Sequence, residues 1–197
     1  SYPTEKIARN SEDFRPLGLG YANLGTLAMV LGMPYDSQEA RTLGGAITAI
    51  MTGEAYHQSA KIAGTKIGPF NRFNENREPF LKVMKMHKKA VENIPVSEGL
   101  EYLIDEARIV WDDAVSLGEK NGYRIAQASV LAPTGTIGLL MDCDTLGVDP
   151  DYSLVKGKKL AGGGFRKIIN QSVPRALRRL GYDQEQIADI IPYIIGR

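Results

Sequence analysis

Cysteine is almost missing. Cys143 is the only one in 197 residues, which excludes an internal disulfide framework and predicts a reducing, cytoplasmic setting. An excess of either charge is missing as well. The 24 Lys and Arg against 23 Asp and Glu leave a formal net charge of +1, so no overall field favours nucleic acid or an anionic membrane, and neither partner is expected. Long apolar runs are absent too: Gly, Pro or charge interrupts each one well before the roughly 18 residues of a spanning helix. No secretory or transit signal opens the chain. Histidine is limited to His57 and His87. Neither has a second ligand at metal spacing, so each is read as a partly buried structural residue and no metal site is expected. Internal repeats and low-complexity tracts are lacking.

What remains is ordinary globular composition, 43% hydrophobic and 24% charged, enough for a sizeable core. There is no initiator Met, and strongly apolar Ile190–Ile195 is followed only by Gly196 and Arg197. Natural ends are usually polar and frayed, so both are read as cuts in a longer protein.

Along the chain, residues 1–15 read as a polar lead-in. Leu17 to Leu31, apolar and studded with Gly18, Gly20 and Gly25, predicts a buried helix ended by Pro34. Asp36 with Glu39 suggests the N-cap and capping box of the next helix, which carries Leu43, Ile47, Ile50, Met51 and Ala55 on one face. Gly64 to Asn74 is a loop. A helix follows from about Glu75 into the nineties, with Phe80, Val83, Met84, Met86, His87 and Val91 as its apolar face. Ser97 is the expected cap of the clearest helix, where Leu100, Leu103, Ile104, Ala107, Val110, Trp111, Ala114 and Val115 recur at helical spacing up to Gly118 or Gly122. Tyr123 to Leu131, between Gly122 and Pro133, reads as a strand. Thr136 to Met141 restarts as helix. Asp142 to Asp151 is a solvated acidic loop, Tyr152 to Val155 a short strand, and Gly162–Gly164 a hinge or tight approach. Helices over Phe165 to Leu180 and from an Asp183/Gln186 cap to Ile195 complete the chain. One or two strands among so many helices leaves unpaired edges, which folded proteins avoid; the partners are expected in the remainder of a parent protein.

The strongest chemical signal is Pro133-Thr134-Gly135-Thr136-Ile137-Gly138. Pro133 stops the strand, the glycines permit unusual backbone angles, and the threonines offer hydroxyls. Free amides at a helix start, with the helix dipole behind them, form an anion site whose usual guest is phosphate. A plain Thr-capped helix competes with this reading, because the Lys of a Walker loop is lacking. Gly18-x-Gly20-x-x-Asn23 resembles a dinucleotide fingerprint only superficially: the third glycine is missing and no strand precedes it, so close packing is expected instead. Asp142, Asp144, Gly147, Asp149 and Asp151 partly match a calcium loop, but Leu146 holds position five and Ser153 position twelve, so a solvated turn is preferred. Cys143 lies between two aspartates that oppose a thiolate, and no nucleophilic or redox role is expected. Lys156, Lys158, Lys159, Arg166 and Lys167 form a basic stretch, read as a solvated face that could flank a diphosphate.

Several of these motifs together resemble a family. Arg15 to Gly25, Met33 to Ser37 and Ala132 to Gly138 are similar to the large chain of ribonucleotide reductases. Leu140 to Thr145, Gly147 to Asp151 and Lys159 to Gly164 resemble its adenosylcobalamin-dependent, class II branch. The resemblance covers nearly the whole chain, with the motifs in order. It implies an α/β fold in which residues 1–197 form a single helix-rich segment of a ten-stranded α/β barrel. It implies an enzyme, a ribonucleoside di- or triphosphate reductase that makes deoxyribonucleotides for DNA synthesis by radical chemistry, with adenosylcobalamin (vitamin B12) as cofactor. The expected partners are the ribonucleotide and the remainder of the reductase chain, with a homodimer of the parent left open. Pro133, Thr134, Gly135, Thr136, Ile137 and Gly138 would hold the substrate diphosphate: Thr134 and Thr136 through hydroxyls, Gly135, Ile137 and Gly138 through amides. The family's radical cysteine, in Asn-x-Cys-x-Glu, is not in this sequence. No catalytic residue and no cofactor contact is therefore assigned to this chain, and alone it is expected to be inactive. The alternative from another class is a helical interaction or scaffold module without catalysis.

Overall fold

The computed structural model describes residues 2–159 and 162–196. Among them are eight helices and one two-stranded hairpin: α1 Glu5–Phe14, α2 Leu24–Leu31, α3 Gln38–Ala63, α4 Phe73–Val91, α5 Glu101–Asn121, α6 Gly135–Leu140, β1 Val155–Lys159, β2 Phe165–Ile169, α7 Val173–Arg179 and α8 Gln184–Ile195. The helix-rich expectation holds, and no closed barrel occurs among the described residues. The chain divides into two compact units. One comprises residues up to Gly20 with Arg41–Leu131, the other Tyr21–Ala40 with residues from Ala132 onward.

The core of the first unit is built around α5, whose buried residues Ile104, Ala107, Val110, Trp111, Ala114 and Val115 follow the helical period read from the sequence. Phe73, Leu81, Met84 and Val91 face inward from α4. Val83 and Met86, expected on that face, are exposed, and so is His87, which lies over the Trp111 ring at 5.6 Å. Met84 and Val91 are buried as expected, and Leu81 joins them. The Trp111 indole donates to the Ala49 carbonyl at 2.9 Å, tying α3 to α5. Tyr56, Phe70, Phe73, Phe80 and Tyr123 form an aromatic box with edge-on and tilted contacts, a geometry that suits ring quadrupoles. Each fully buried Phe there contributes about 1.5–3 kcal/mol.

Tyr123 packs so closely on Gly118 that a Cβ at position 118 would lie 2.0 Å from the ring's Cζ. Its hydroxyl donates to the Ala114 carbonyl at 2.9 Å. Burial pushes the Tyr123 hydroxyl pKa well above its ordinary value, with the Glu119 charge adding to the effect. Tyr56 shifts the same way, also through burial. On the surface Lys85 pairs with Glu119 at 2.6 Å and Lys88 with Asp112 at 2.7 Å, bridging α4 and α5. The Lys85 hydrogen bond lowers the Glu119 pKa, but solvent screening leaves such pairs little weight.

Several expected boundaries move, for local reasons. Residues 5–14 are helical because Thr4 caps them, its hydroxyl accepting from the Ile7 amide. The helix expected from Leu17 begins only at Leu24. Gly20 lies against the backbone of Val130, where a Cβ would meet its carbonyl oxygen at 2.3 Å, so the close packing expected of these glycines occurs in extended chain. The Leu17 and Leu19 amides donate to Gln127 and Ala128, and Val130 donates back to Leu19. Residues 123–131 thus make one parallel bridge, Leu19 to Ser129, and not the strand expected there. Ser37, not Asp36, caps α3 by accepting from the Ala40 amide. Ser97 is no cap: its hydroxyl donates to Thr42.

In the second unit, β1 and β2 pair antiparallel, Val155 with Ile169 and Lys159 with Phe165. This replaces the strand expected at 152–155 and the first part of the helix expected at 165–180. Gly163 and Gly164, at φ 86° and 97°, supply left-handed backbone between the strands. A Cβ at any of Gly162–Gly164 would meet nothing within 4 Å among the described residues, so no tight approach is seen among them. Leu160 and Ala161 lie outside the described residues, as do the side chains of Lys158, Lys159 and Arg166. Asp183 and Gln186 form the expected capping box of α8.

Candidate phosphate-binding turn

The Pro133–Gly138 stretch is a turn leading into a six-residue helix, within the second unit. Thr134 stands in the left-handed region at φ 65°, and its side chain makes no capping bond to α6. Gly135 follows at φ 46°. Two left-handed residues in succession turn the chain sharply into the helix. Pro133, Gly135, Thr136 and Ile137 are exposed, Thr134 is half-buried and Gly138 is buried.

The hydrogen bonds divide the expected phosphate donors into two groups. The amides of Ile137 and Gly138 donate to the Thr134 carbonyl, at 3.1 and 3.4 Å. Those of Gly135 and Thr136 have no partner among the described residues, as first-turn amides commonly do not. The Thr134 hydroxyl gives its single proton to the Pro133 carbonyl at 2.6 Å and accepts from the Gly147 amide at 3.1 Å. The Thr136 hydroxyl has no partner among the described residues. An anion arriving from solvent would meet the Gly135 and Thr136 amides and the Thr136 hydroxyl. Thr134 would first have to release Pro133.

A second loop stands behind the turn. Gly147, at φ 51°, approaches so closely that a Cβ there would be 2.7 Å from the Ala132 carbonyl oxygen. The Leu146 side chain covers Gly138, and the Cys143 amide donates to the Gly138 carbonyl at 2.9 Å. The loop is held from its other side. Asp144 accepts from the Gln171 and Ser172 amides, both at 3.0 Å, and from the Ser172 hydroxyl at 2.5 Å. Asp151 pairs with Lys156 at 2.7 Å and accepts from the Asn170 side chain at 2.6 Å. Asp144 and Asp151 are therefore spent on amides, a hydroxyl and an ammonium group, so this part of the loop is a brace, while Asp142 and Asp149 are exposed as the expected solvated turn would have them. Among the described residues no group of three His, Cys, Asp or Glu could hold a metal ion. Lys156, read from sequence as part of a solvated face, is half-buried in this brace.

Asn23, Thr26 and Thr145 escaped the sequence reading. Asn23 and Thr145 are 122 residues apart, yet the Asn23 side-chain oxygen accepts from the Thr145 amide at 3.1 Å. Asn23 and Thr145 lie inside stretches quoted for the resemblance, which was the available signal, and Thr26 lies one residue beyond the first; nothing in either stretch marks the pairing. No helix among the described residues is long and apolar enough to cross a membrane.

Comparison with known proteins agrees with the resemblance. The model of the family described as "Ribonucleotide reductase, barrel domain" matches residues 1–195. The chain is 50% identical to a vitamin B12-dependent ribonucleotide reductase of Agrobacterium fabrum, over 99% of this chain and 16% of that protein. It is 53% identical to the protein of the same name from Rhodopirellula baltica, over 98% of this chain and 18% of the relative. A vitamin B12-dependent ribonucleoside-diphosphate reductase of Mycobacterium tuberculosis is 25% identical over 96% of the chain and 21% of its own length. The chain thus spans between 16% and 21% of the length of these relatives. It belongs to the ribonucleotide reductase barrel-domain family.

Proposed function

We propose that this chain is the part of a ribonucleotide reductase that holds the diphosphate end of the ribonucleotide, which the whole enzyme converts to a deoxyribonucleotide by radical chemistry. The observation that carries the reading is the left-handed Thr134-Gly135 entry into α6, with the Gly135 and Thr136 amides open to solvent. Backbone amides at a helix start match phosphate oxygens in charge and in number of donors. Holding the phosphates fixes the ribose in place and breaks no bond itself. In this reading the segment is one part of a ten-stranded α/β barrel in the cytoplasm, and its extended residues 123–131 pair with strands contributed by the remainder of the reductase chain.

The relatives' printed names bring vitamin B12 with them. Adenosylcobalamin supplies the radical that starts reduction when it is bound. Among the described residues every buried polar side-chain atom has a hydrogen-bond partner, and no contact to the corrin is assigned to them. We assign the cofactor, and the radical cysteine, to the remainder of the chain.

Thr136→Ala in the full-length reductase tests the reading. Thr136 is exposed and makes no structural bond among the described residues, so the fold should stand. KM for the ribonucleotide should rise about two- to tenfold, the weight of one hydrogen bond. An unchanged KM, together with unchanged binding in Thr134→Ala, would remove the clamp.

A further inference from the structure

We infer that Asn23 and Thr145 are positioning residues that set the pose of the phosphate-binding turn, an inference that rests on the function proposed for that turn. Asn23 precedes α2 in the left-handed region, at φ 72°. An Asn before a helix ordinarily turns its side-chain oxygen onto that helix's own first-turn amides. Asn23 does not. Its Oδ1 accepts instead from the Thr145 amide at 3.1 Å and from the Thr145 hydroxyl at 3.3 Å. Thr145 takes over the capping: its Oγ1 accepts from the Thr26 amide at 3.0 Å. A hydroxyl has one proton, and with that of Thr145 given to Asn23, the Thr26 hydroxyl is the donor in their 3.2 Å contact. Thr145 is 1% exposed, so this exchange is sheltered from water.

The start of α2 thereby fixes Thr145, and the two residues after Thr145 reach the turn. Leu146 covers Gly138, and the Gly147 amide holds the Thr134 hydroxyl. The Leu24 amide contacts the Gly147 carbonyl at 3.4 Å, closing the circuit. Thr134 is the left-handed residue that enters α6 just before the open Gly135 and Thr136 amides. Asn23 and Thr145 act on a bound phosphate only through Gly147 and Thr134.

The test uses the full-length reductase and pairs each deletion with a conservative partner. Asn23→Gly keeps the left-handed backbone and removes the acceptor, whereas Asn23→Asp keeps both. Thr145→Val removes the hydroxyl, and Thr145→Ser restores it. Read out are kcat, KM, and the affinities for a ribonucleoside diphosphate and for the same ribonucleoside without phosphates. Asn23→Gly and Thr145→Val should each raise KM and weaken diphosphate binding about tenfold, with kcat within about twofold and nucleoside affinity unchanged. Asn23→Asp and Thr145→Ser should recover most of the loss. If the unaltered enzyme binds nucleoside as tightly as diphosphate, the phosphate reading itself fails. If it prefers the diphosphate and Asn23→Gly and Thr145→Val keep that preference, only the positioning role fails. Equal losses for both ligands, or all four variants failing to fold, would also overturn it, because the residues would then serve the fold and not the turn.

Discussion

The Gly147 amide donates to the Thr134 hydroxyl at 3.1 Å, across thirteen residues, and this bond pins the entrance of α6 to the loop behind it. Gly147 can make the approach because it has no Cβ and stands at φ 51°. Gly147→Ala places a methyl group 2.7 Å from the Ala132 carbonyl oxygen and holds alanine in left-handed backbone, at a cost of about 1–2 kcal/mol before any clash. Urea unfolding should therefore show a loss of at least that size. Stability equal to that of the unaltered chain would mean the turn does not rest on this loop.

Asp144 anchors the same loop through two amides and a hydroxyl. In Asp144→Asn, whichever side the NH2 occupies faces a donor. Charge-assisted bonds are lost and a clash of donors is created at a half-buried site, which should cost about 1–3 kcal/mol. Thermal melting checks this. A variant as stable as the parent would return the acidic stretch to the solvated turn expected from its composition.

Gly118 and Tyr123 make a third case, in the core of the other unit. Gly118→Ala would bring a Cβ to 2.0 Å from the Tyr123 ring, and that ring is enclosed by Tyr56, Phe73 and Phe80. Overpacking of this kind costs about 1–3 kcal/mol or more. Pairing Gly118→Ala with Tyr123→Leu in a double-mutant cycle should show strong coupling, since the smaller side chain relieves the clash. Additive losses would place the strain elsewhere.

The buried Tyr123 hydroxyl makes stability fall at high pH. Its folded pKa is raised by burial above the ordinary value of 10.0, so the unfolded chain releases the proton first. The contribution is fully present below about pH 10 and is lost as pH rises beyond it, at up to about 1.4 kcal/mol per pH unit from this group. Tyr56 adds a smaller trend of the same sign. Denaturant midpoints between about pH 9 and pH 11 should decline, and Tyr123→Phe should flatten the decline. An equal slope in that variant would assign the effect to other groups.

The parts legible in sequence were those whose determinants lie close together along the chain. The stripe of α5 and the Asp183/Gln186 box depend on residues three or four apart, and both appear as read. The turn at Pro133–Gly138 was legible for the same reason. The brace behind it was not, because Asn23 and Thr145 meet across 122 residues and neither stretch advertises a partner. The hairpin was missed because three glycines before Phe165 resemble a helix lead-in as much as a strand connection. Residues 123–131 have strand composition, but their bonds to residues 14–19 make only one bridge; composition fixes an extended backbone without fixing a ladder.

The central claim is that the open Gly135 and Thr136 amides receive the phosphates of a ribonucleotide. Hydrogen exchange of the full-length reductase, followed at these two amides with and without saturating ribonucleoside diphosphate, tests it most directly. The account predicts slower exchange at Gly135 and Thr136 in the presence of the diphosphate, and little change with the unphosphorylated nucleoside. Exchange at both amides that stays the same when the diphosphate is bound would contradict it and leave a plain turn in a helical module.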